Sequence, residues 1–142
     1  MFVKQISVYL ENTNGMLAGM TQVLGDGGVD LIALSIADAE KYGILRIIAS
    51  DTDEAVKLLR GALYPTKVDD VLAVAISDEP GGLHKALSLF DQRGISIDYL
   101  YSFLHRSDRA YIILKAKDGQ AAAQAVTDAG SQLLTEEQVR AL

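Results

Sequence analysis

The sequence predicts an α+β protein made of two consecutive βαββαβ repeats, each an antiparallel sheet with its helices on one face. Two observations support this fold class. Apolar residues alternate between the period of a strand and that of a helix, and the chain resembles itself when shifted by 66 residues. Its 142 residues, 49% of them apolar, suffice for two very small domains. We expect one repeat over residues 1–68 and the other over residues 69–142.

The internal match falls where glycine geometry or core packing limits the choice of residue. Identity is sparse, but its placement is what duplication of a supersecondary unit predicts. The aligned pairs are Val8 with Val74, Gly15 with Gly81, Leu17 with Leu83, Gly28 with Gly94, Leu34 with Leu100 and Ile47 with Ile113.

Each half begins with a strand followed by a helix. Alternating apolar residues predict first strands near residues 6–10 and 72–76. Apolar residues then recur every three or four positions, which is typical of a helix with one buried face. Gly28 and Gly94 lie where a left-handed residue would end each of these helices. The helical positions are Leu17, Met20 and Leu24 in the first half, and Leu83, Leu87 and Phe90 in the second.

Two further strands and a second helix complete each half. We predict strands at residues 29–37 and 43–50, and again at 95–104 and 109–116. Asp51 or Asp53 would cap the next helix of the first half, and Asp118 that of the second. The helix of the first half carries an apolar face, whereas the alanine-rich one at residues 119–129 is expected to pack weakly. That face consists of Ala55, Leu58, Leu59, Ala62 and Leu63.

A short link at Pro65 joins the halves, and residues 66–68 could pair as an edge strand. The resulting order of strand, helix, strand, strand, helix and short strand, present twice, is the ferredoxin-like order.

Composition excludes several functional classes. With 13 basic and 19 acidic residues the formal charge is -6, so the basic surface that nucleic-acid binding requires is missing. The chain has no cysteine, which removes disulfides and thiolate chemistry and favours a cytoplasmic location. No leader pattern and no apolar run of about 20 residues is present, so we expect neither secretion nor membrane insertion.

One motif resembles a known family. Asp78-Glu79-Pro80-Gly81-Gly82-Leu83, between a predicted strand and helix, resembles the Asp-x-Pro-Gly-x-Leu signature of ACT domains. Asn12-Thr13-Asn14-Gly15-Met16-Leu17 resembles a diverged copy that lacks the proline. Gly94-Ile95-Ser96-Ile97-Asp98-Tyr99 is similar to the Gly-hydrophobic-Asn-Ile segment of the family, with serine in place of asparagine. The resemblance, to a stand-alone pair of ACT domains, covers nearly the whole chain, from Val3 to about Leu134.

The resemblance implies a regulatory module that binds a free amino acid at the loops between the first strand and first helix, near an interface between ACT units. Glycines there would let a ligand carboxylate reach amides at a helix start. Side-chain oxygens would accept hydrogen bonds from its ammonium group, and residues of facing strands would line its side chain. The loop residues implied are Asn12, Asn14, Gly15, Met16, Leu17, Asp78, Pro80, Gly81, Gly82 and Leu83, and the strand residues are Leu31, Ile32, Ile97 and Asp98.

Each of these residues also has a purely structural explanation. A glycine in such a loop is often only a turn, and Asn or Asp there often only caps the helix. Leu17 and Leu83 are core residues first and cavity wall second. Arg46, inside an apolar strand, could clamp a carboxylate or face solvent, and Asp38 could pair with Arg46 or with the ligand ammonium.

The remaining polar and aromatic residues indicate no catalysis. His84 and His105 match no metal-ligand spacing and are expected at the surface or an interface, and Asp69-Asp70 and Glu136-Glu137 in solvated turns. No nucleophile or phosphate-binding motif is present, so we expect no metal, no cofactor and no enzymatic activity. We interpret Tyr99, Tyr101 and Phe103 as packing residues on one strand face.

Assembly is expected to involve a second chain. Residues 109–116 are apolar on both faces, so the helix-free surface should be covered by the other repeat or by a second copy in a two-fold dimer. A partner enzyme or regulator on another chain would respond to ligand binding. The alternatives are an interaction module that kept the fold without a ligand and, less favoured, an enzyme on a ferredoxin-like scaffold.

Overall fold

The computed structural model describes residues 1–37 and 40–142, which form seven strands and five helices. The predicted α+β class and the twofold βαββαβ order are confirmed. The elements in chain order are β1 (Val3–Glu11), α1 (Met16–Asp26), β2 (Leu31–Ala37), β3 (Tyr42–Ala49), α2 (Thr52–Gly61), β4 (Thr66–Ser77), α3 (Gly82–Gln92), β5 (Ile97–Arg106), β6 (Arg109–Ala116), α4 (Gly119–Asp128), β7 (Gln132–Leu134) and α5 (Glu136–Arg140).

The N-terminal unit spans Lys4–Asp69. In its sheet β3 lies between β2 and β1 and is antiparallel to both, with Ile6 opposite Ile47 and Leu34 opposite Ile47 on the other side. One face of this sheet forms the core with α1 and α2, because alternate strand residues and one face of each helix are apolar. The fully buried members of this core include Ile6, Val8, Met20, Leu24, Leu45, Ile47, Ala55 and Leu59.

The C-terminal unit comprises Met1–Val3 and Asp70–Leu142. Here β4 pairs with β7 on one side and β6 on the other, and β5 follows β6, all antiparallel. Its core has the same plan, with alternate residues of β4 and β6 packed against α3 and α4. The buried set includes Leu72, Val74, Ile76, Phe90, Ile112, Leu114, Ala122, Ala125 and Val126, with Phe2 packed against it.

The structure confirms the predicted helix ends where capping residues or glycines mark them. Asp51 and Asp118 accept hydrogen bonds from the backbone N–H groups of Glu54 and Ala121, each 3.0 Å long, as N-caps should. Gly28 and Gly94 have φ of 74° and 66°, the left-handed conformation expected after α1 and α3.

Six expectations about local structure were wrong. Leu17 and Leu83, expected in the core, are 44% and 39% exposed, because the first turn of each helix extends beyond the buried sheet face. Asp69 and Asp70, expected in a solvated turn, lie within β4.

The other four concern the second helices and the chain ends of the repeats. The alanines of α4 are buried, so this helix packs closely: small side chains let it approach the sheet. Residues 66–68 are not a separate strand, because β4 runs without a break from Thr66 to Ser77. Glu136 and Glu137 open α5, where Thr135 and Gln138 form a capping box. Leu63 follows α2 and does not lie on its buried face, since it is 89% exposed.

The repeat offset also changes along the chain. The offset is 66 residues as far as β2 and β5, and 67 from β3 and β6 onward. The reason is that β5 and the turn after it together span one residue more than β2 and the segment after it. Thus the counterpart of Ile47 is Leu114 rather than Ile113: Ile47 lies opposite Ile6, and Leu114 opposite Leu72. Ile113 points to the other face of the sheet.

Leu63 and Gly130 occupy equivalent positions, 67 residues apart, and both have positive φ, of 65° and 75°. The left-handed conformation costs an L-residue about 1–2 kcal/mol, whereas glycine adopts it freely. The N-terminal unit therefore stores backbone strain that the C-terminal unit avoids.

We expect Leu63→Gly to raise the free energy of unfolding by about 0.5–1 kcal/mol, since relief of strain exceeds the entropy cost of a new glycine. Gly130→Ala should lower it by about 1 kcal/mol, although a β-carbon there meets no atom within 4 Å. Urea unfolding of both variants checks this. Destabilisation by Leu63→Gly would contradict the assigned conformation.

Candidate functional site

The two loops that resemble the family signature have the same backbone geometry. Gly15 and Gly81 are the N-cap residues of α1 and α3, with φ of 88° and 84°. A β-carbon at either glycine would meet no atom within 4 Å. Glycine is needed here for its left-handed conformation, and the space beside it is open to a ligand.

Neither of these helices receives a side-chain cap. No side chain accepts a hydrogen bond from the first turn of α1 or α3, and neither first turn contains an acidic residue. By contrast α2 and α4 are capped by Asp51 and Asp118. Helix capping therefore does not explain Asn12, Asn14 and Asp78. The first amide of each helix donates to a turn carbonyl, Met16 N–H to Thr13 and Gly82 N–H to Glu79. The next amides of the first turn receive no side-chain cap and are left for water or a ligand.

The C-terminal loop is tied to the end of the β5–β6 hairpin. The N–H of Asp78 donates to the carbonyl of Asp108 at 2.8 Å, and Asp78 Oδ2 lies 3.1 Å from His105 Nδ1. Lys85 Nζ lies 3.5 Å from a carboxylate oxygen of Glu79. These contacts fix the direction of the Asp78 carboxylate beside the start of α3.

His105 is the residue of this site that sequence reasoning missed. It was expected at the surface or an interface because it fits no metal spacing, and it is exposed. Its place opposite Asp78 depends on the pairing of β5 with β6, which brings residues 27 positions apart together. In the sequence, the only indication of this contact is that His105 lies near the end of the predicted hairpin, close to its turn.

Gly82 is confined, unlike Gly81. A β-carbon at Gly82 would overlap the carbonyl oxygen of Ser77, so the helix start lies directly against the end of β4. Gly82 thus serves close packing, and Gly81 serves the turn.

A cavity adjoins each loop, and the two cavities are structural equivalents. The N-terminal one, of about 400 Å³, is lined by Tyr9, Glu11, Met16, Tyr42 and residues 62–65. The C-terminal one, of about 280 Å³, is lined by residues 75–77, Gly82, Lys85, Ala86, Asp108, Arg109 and residues 129–131. Each lies at the end of the first strand, the start of the first helix, the start of the third strand and the end of the second helix. The N-terminal lining is rich in tyrosine, and the C-terminal lining is charged.

Several implied residues are not brought together with the loops of their own unit. Leu31 and Ile32 begin β2, and Ile97 and Asp98 lie at the start of β5. These strand starts follow the C-terminal ends of α1 and α3. An 11-residue helix separates each from its glycine loop, about 16 Å.

Arg46 and Asp38 complete the account of the predicted residues. Arg46 lies opposite Ser7 and Ser35, in the middle of the sheet and on the face away from the helix-facing core residues. Ser7 is five residues before the loop, about 17 Å along the strand. Asp38 lies outside the described residues.

Within residues 1–37 and 40–142, no group of three or more His, Asp or Glu side chains is arranged to hold a metal ion. None of the helices described combines the length and apolar character needed to cross a bilayer.

The difference between the two adjacent glycines can be tested by stability. Gly82→Ala should lower the free energy of unfolding by about 1–3 kcal/mol, because the Ser77 carbonyl must move. The control Gly25→Ala, inside α1 with no atom within 4 Å of its β-carbon, should cause no loss and could add up to about 1 kcal/mol. Chemical denaturation measures both. Similar effects of the two changes would refute the close contact at Gly82.

A sequence profile for a family described as ACT domain pair matches residues 1–142. The crystal structure of protein BT0572 from Bacteroides thetaiotaomicron is 32% identical, covers 100% of this chain and 98% of its own, and superposes with a TM-score of 0.94. No curated sequence is significantly similar.

More distant structures share the fold. The ligand-free regulatory subunit of aspartate kinase from Thermus thermophilus is 20% identical, covers 89% of this chain and 91% of its own, and gives a TM-score of 0.65. Aspartate kinase from Synechocystis, 17% identical with a TM-score of 0.61, matches 93% of this chain with 26% of its own length. With one profile match over its full length and a relative above 30% identity, the chain belongs to the family of ACT domain pairs.

Proposed function

We propose that this ACT pair is a non-catalytic regulatory module that binds a free amino acid at its glycine loops and signals to a separate protein. The observation that carries the proposal is the uncapped start of α3 at Gly81, beside a charged cavity of about 280 Å³. A free amino acid presents a carboxylate and an ammonium group close together. Its site must therefore offer donors and acceptors within a few ångströms.

The C-terminal loop meets this requirement best. Amides at the start of α3 and the side chain of Arg109 can bind the carboxylate, since a helix N-terminus and a guanidinium both favour an anion. Asp78 offers an acceptor for the ammonium group. His105, which does not line the cavity, acts as a positioning residue for Asp78.

The N-terminal loop is a second, diverged site in this proposal. Asn12, Asn14, Gly15 and Met16 keep the glycine geometry without the carboxylate of Asp78. A second subunit would contribute further lining residues in this proposal, since they lie too far from the loop of their own unit: Leu31, Ile32, Ile97, Asp98 and Arg46. In this proposal Pro80 shapes the C-terminal loop. Leu17 and Leu83 line neither cavity and are 44% and 39% exposed, so they would offer apolar contacts to a ligand bound at the helix starts.

The signalling step is a proposal as well. Ligand would stabilise one arrangement of subunits, and its effect on a partner would equal its differential affinity for the two states, about 1–3 kcal/mol. The Thermus thermophilus protein with the same fold is a regulatory subunit of aspartate kinase. By analogy, we propose that an enzyme on another chain responds to the ligand-bound state. A cytoplasmic location fits the chain without cysteine.

The amino-acid proposal is tested by thermal unfolding with each of the twenty amino acids. A ligand at 100 times its Kd adds about 2.7 kcal/mol, which should raise Tm by several degrees. Gly81→Val should abolish this shift, because its side chain enters the space beside the helix start.

The control variant is Gly94→Val, which carries the same left-handed strain at the other end of α3 and leaves the loop intact. It should lower Tm of the free protein by a similar amount and keep the ligand shift. If no amino acid shifts Tm under reversible conditions, the proposed sensor function is wrong.

A homodimer is proposed from exposed apolar residues of the N-terminal unit. Ile113 and Ala73 are fully buried within a single chain, so the two apolar faces of β6 do not by themselves require a second copy. Instead, Leu34 and Ile36 on β2 are 53% and 54% exposed. They point to the same side as their core partners Ile47 and Leu45, and among the described strands β2 pairs only with β3. An apolar edge strand of this kind favours pairing with another chain.

Sedimentation should therefore give twice the 15.3 kDa chain mass at micromolar concentration. Ile36→Lys should yield monomers, since it places a charge in the paired edge. Leu63→Lys, equally polar but in another corner of the unit, should remain dimeric. A wild-type monomer would contradict the proposed assembly.

The same exposed edge favours the second candidate function, an interaction module without a ligand. Dimers or partner complexes combined with no thermal response to any amino acid would support it over the sensor.

A further inference from the structure

The side chains that line the N-terminal cavity differ from those at the equivalent positions of the C-terminal unit. Three of its residues are tyrosines: Tyr9, Tyr42 and Tyr64. Their counterparts in the C-terminal unit, by the repeat offset, are Ala75, Arg109 and Ser131. The backbone position is shared, whereas the side chains differ in chemistry. Tyr64 also packs against the core of the unit, but Tyr9 and Tyr42 are exposed, so the fold does not require these two rings.

The exposed aromatic rings lie on one strand face. Tyr9 and Tyr42 are 41% and 56% exposed. Tyr42 lies opposite Glu11, and Tyr9 is two residues before Glu11 on the same strand, so all three side chains share the face away from the core. Tyr64 closes the cavity from the α2 side. A β-carbon at Gly19 would lie 3.3 Å from its hydroxyl oxygen, so Gly19 leaves room for this ring against α1.

Leu63 adds an energetic argument. It lines the same cavity, is 89% exposed and has φ of 65°, where its counterpart is glycine. An exposed apolar residue in a strained conformation stabilises neither the core nor the turn. Strain of this kind is typical of positions kept for contact with a ligand.

The charge of the cavity selects the ligand. Glu11 is exposed and, among the described residues, has no ion-pair or side-chain hydrogen-bond partner. Among the residues that the structure describes, no Lys or Arg lines this cavity. Tyrosine faces carry negative electrostatic potential that attracts organic cations. The equivalent C-terminal cavity carries Lys85 and Arg109 and would repel them.

We propose that the tyrosine-lined cavity is a binding site for a small organic cation with an apolar body, such as an alkylated ammonium compound. The cation would lie between the tyrosine faces beside Glu11, with Met16 and Leu63 against its apolar part. The volume of about 400 Å³ lies in the range of small-molecule sites, about 300–1,000 Å³. This site adjoins the diverged N-terminal loop and shares Met16 with it. It does not depend on amino-acid binding, because such a ligand needs no carboxylate.

Isothermal titration with choline tests it, with the uncharged isostere 3,3-dimethylbutanol as the matched probe. Choline should bind with one site per chain, and the isostere about fivefold or more weakly, because only the cation is attracted to the rings. Equal affinities, a second site per chain or no binding of choline would overturn the proposal.

Variants locate the site. Tyr42→Leu and Glu11→Gln should each weaken choline binding about fivefold, whereas Tyr42→Phe, which keeps the ring face, should stay within about twofold. Asp26→Asn removes the same charge from an exposed position of the same unit and should leave affinity unchanged. Circular dichroism establishes that each variant is folded, and Glu11→Gln gives an independent readout if Tyr42→Leu is not. Retained affinity in both Tyr42→Leu and Glu11→Gln would exclude this cavity.

Discussion

Both units depend on one backbone constraint, the left-handed glycine at the corner between first strand and first helix. Gly15 and Gly81 turn the chain within a single residue, which lets α1 and α3 pack back onto the strands they follow. The same conformation leaves the helix start without a side-chain cap. The same glycine in each unit therefore both allows the helix to pack on its sheet and leaves the start of that helix without a side-chain cap.

Much of the fold could be predicted because the deciding signals are local. The local signals act within a few residues: alternation along β1 and β4, the caps Asp51 and Asp118, and the glycines that end α1 and α3. The errors arose where a local signal competes with packing. The alanine-rich sequence of α4 predicted a narrow apolar face and weak packing. Its small side chains instead allow the helix to approach β6 closely. The Thr135–Gln138 capping box was readable and would have revealed α5.

The candidate site was only partly predictable for a different reason. The loop residues are contiguous in sequence, so their motif could be recognised. The contact of His105 with Asp78 and the two cavities arise from β-hairpin register and from where the second helix of each unit ends. Leu31, Ile32, Ile97 and Asp98 followed the loops in sequence but begin strands at the opposite end of a helix. The family resemblance implied that they face the ligand, and within one unit the topology separates them from the loop by the length of a helix.

Duplication explains why two chemically different cavities can share one architecture. The corner position is set by strand order and helix length, which both units retain, so side chains there can change at little cost to the core. Arg109 and Tyr42 show this freedom: each begins the third strand of its unit, and one supplies a cation while the other supplies an aromatic face. A buried residue such as Leu45 or Ile112 has no such freedom, because packing density penalises a change of volume. The corners, where a ligand would bind, can therefore differ in charge and polarity while the core positions stay apolar.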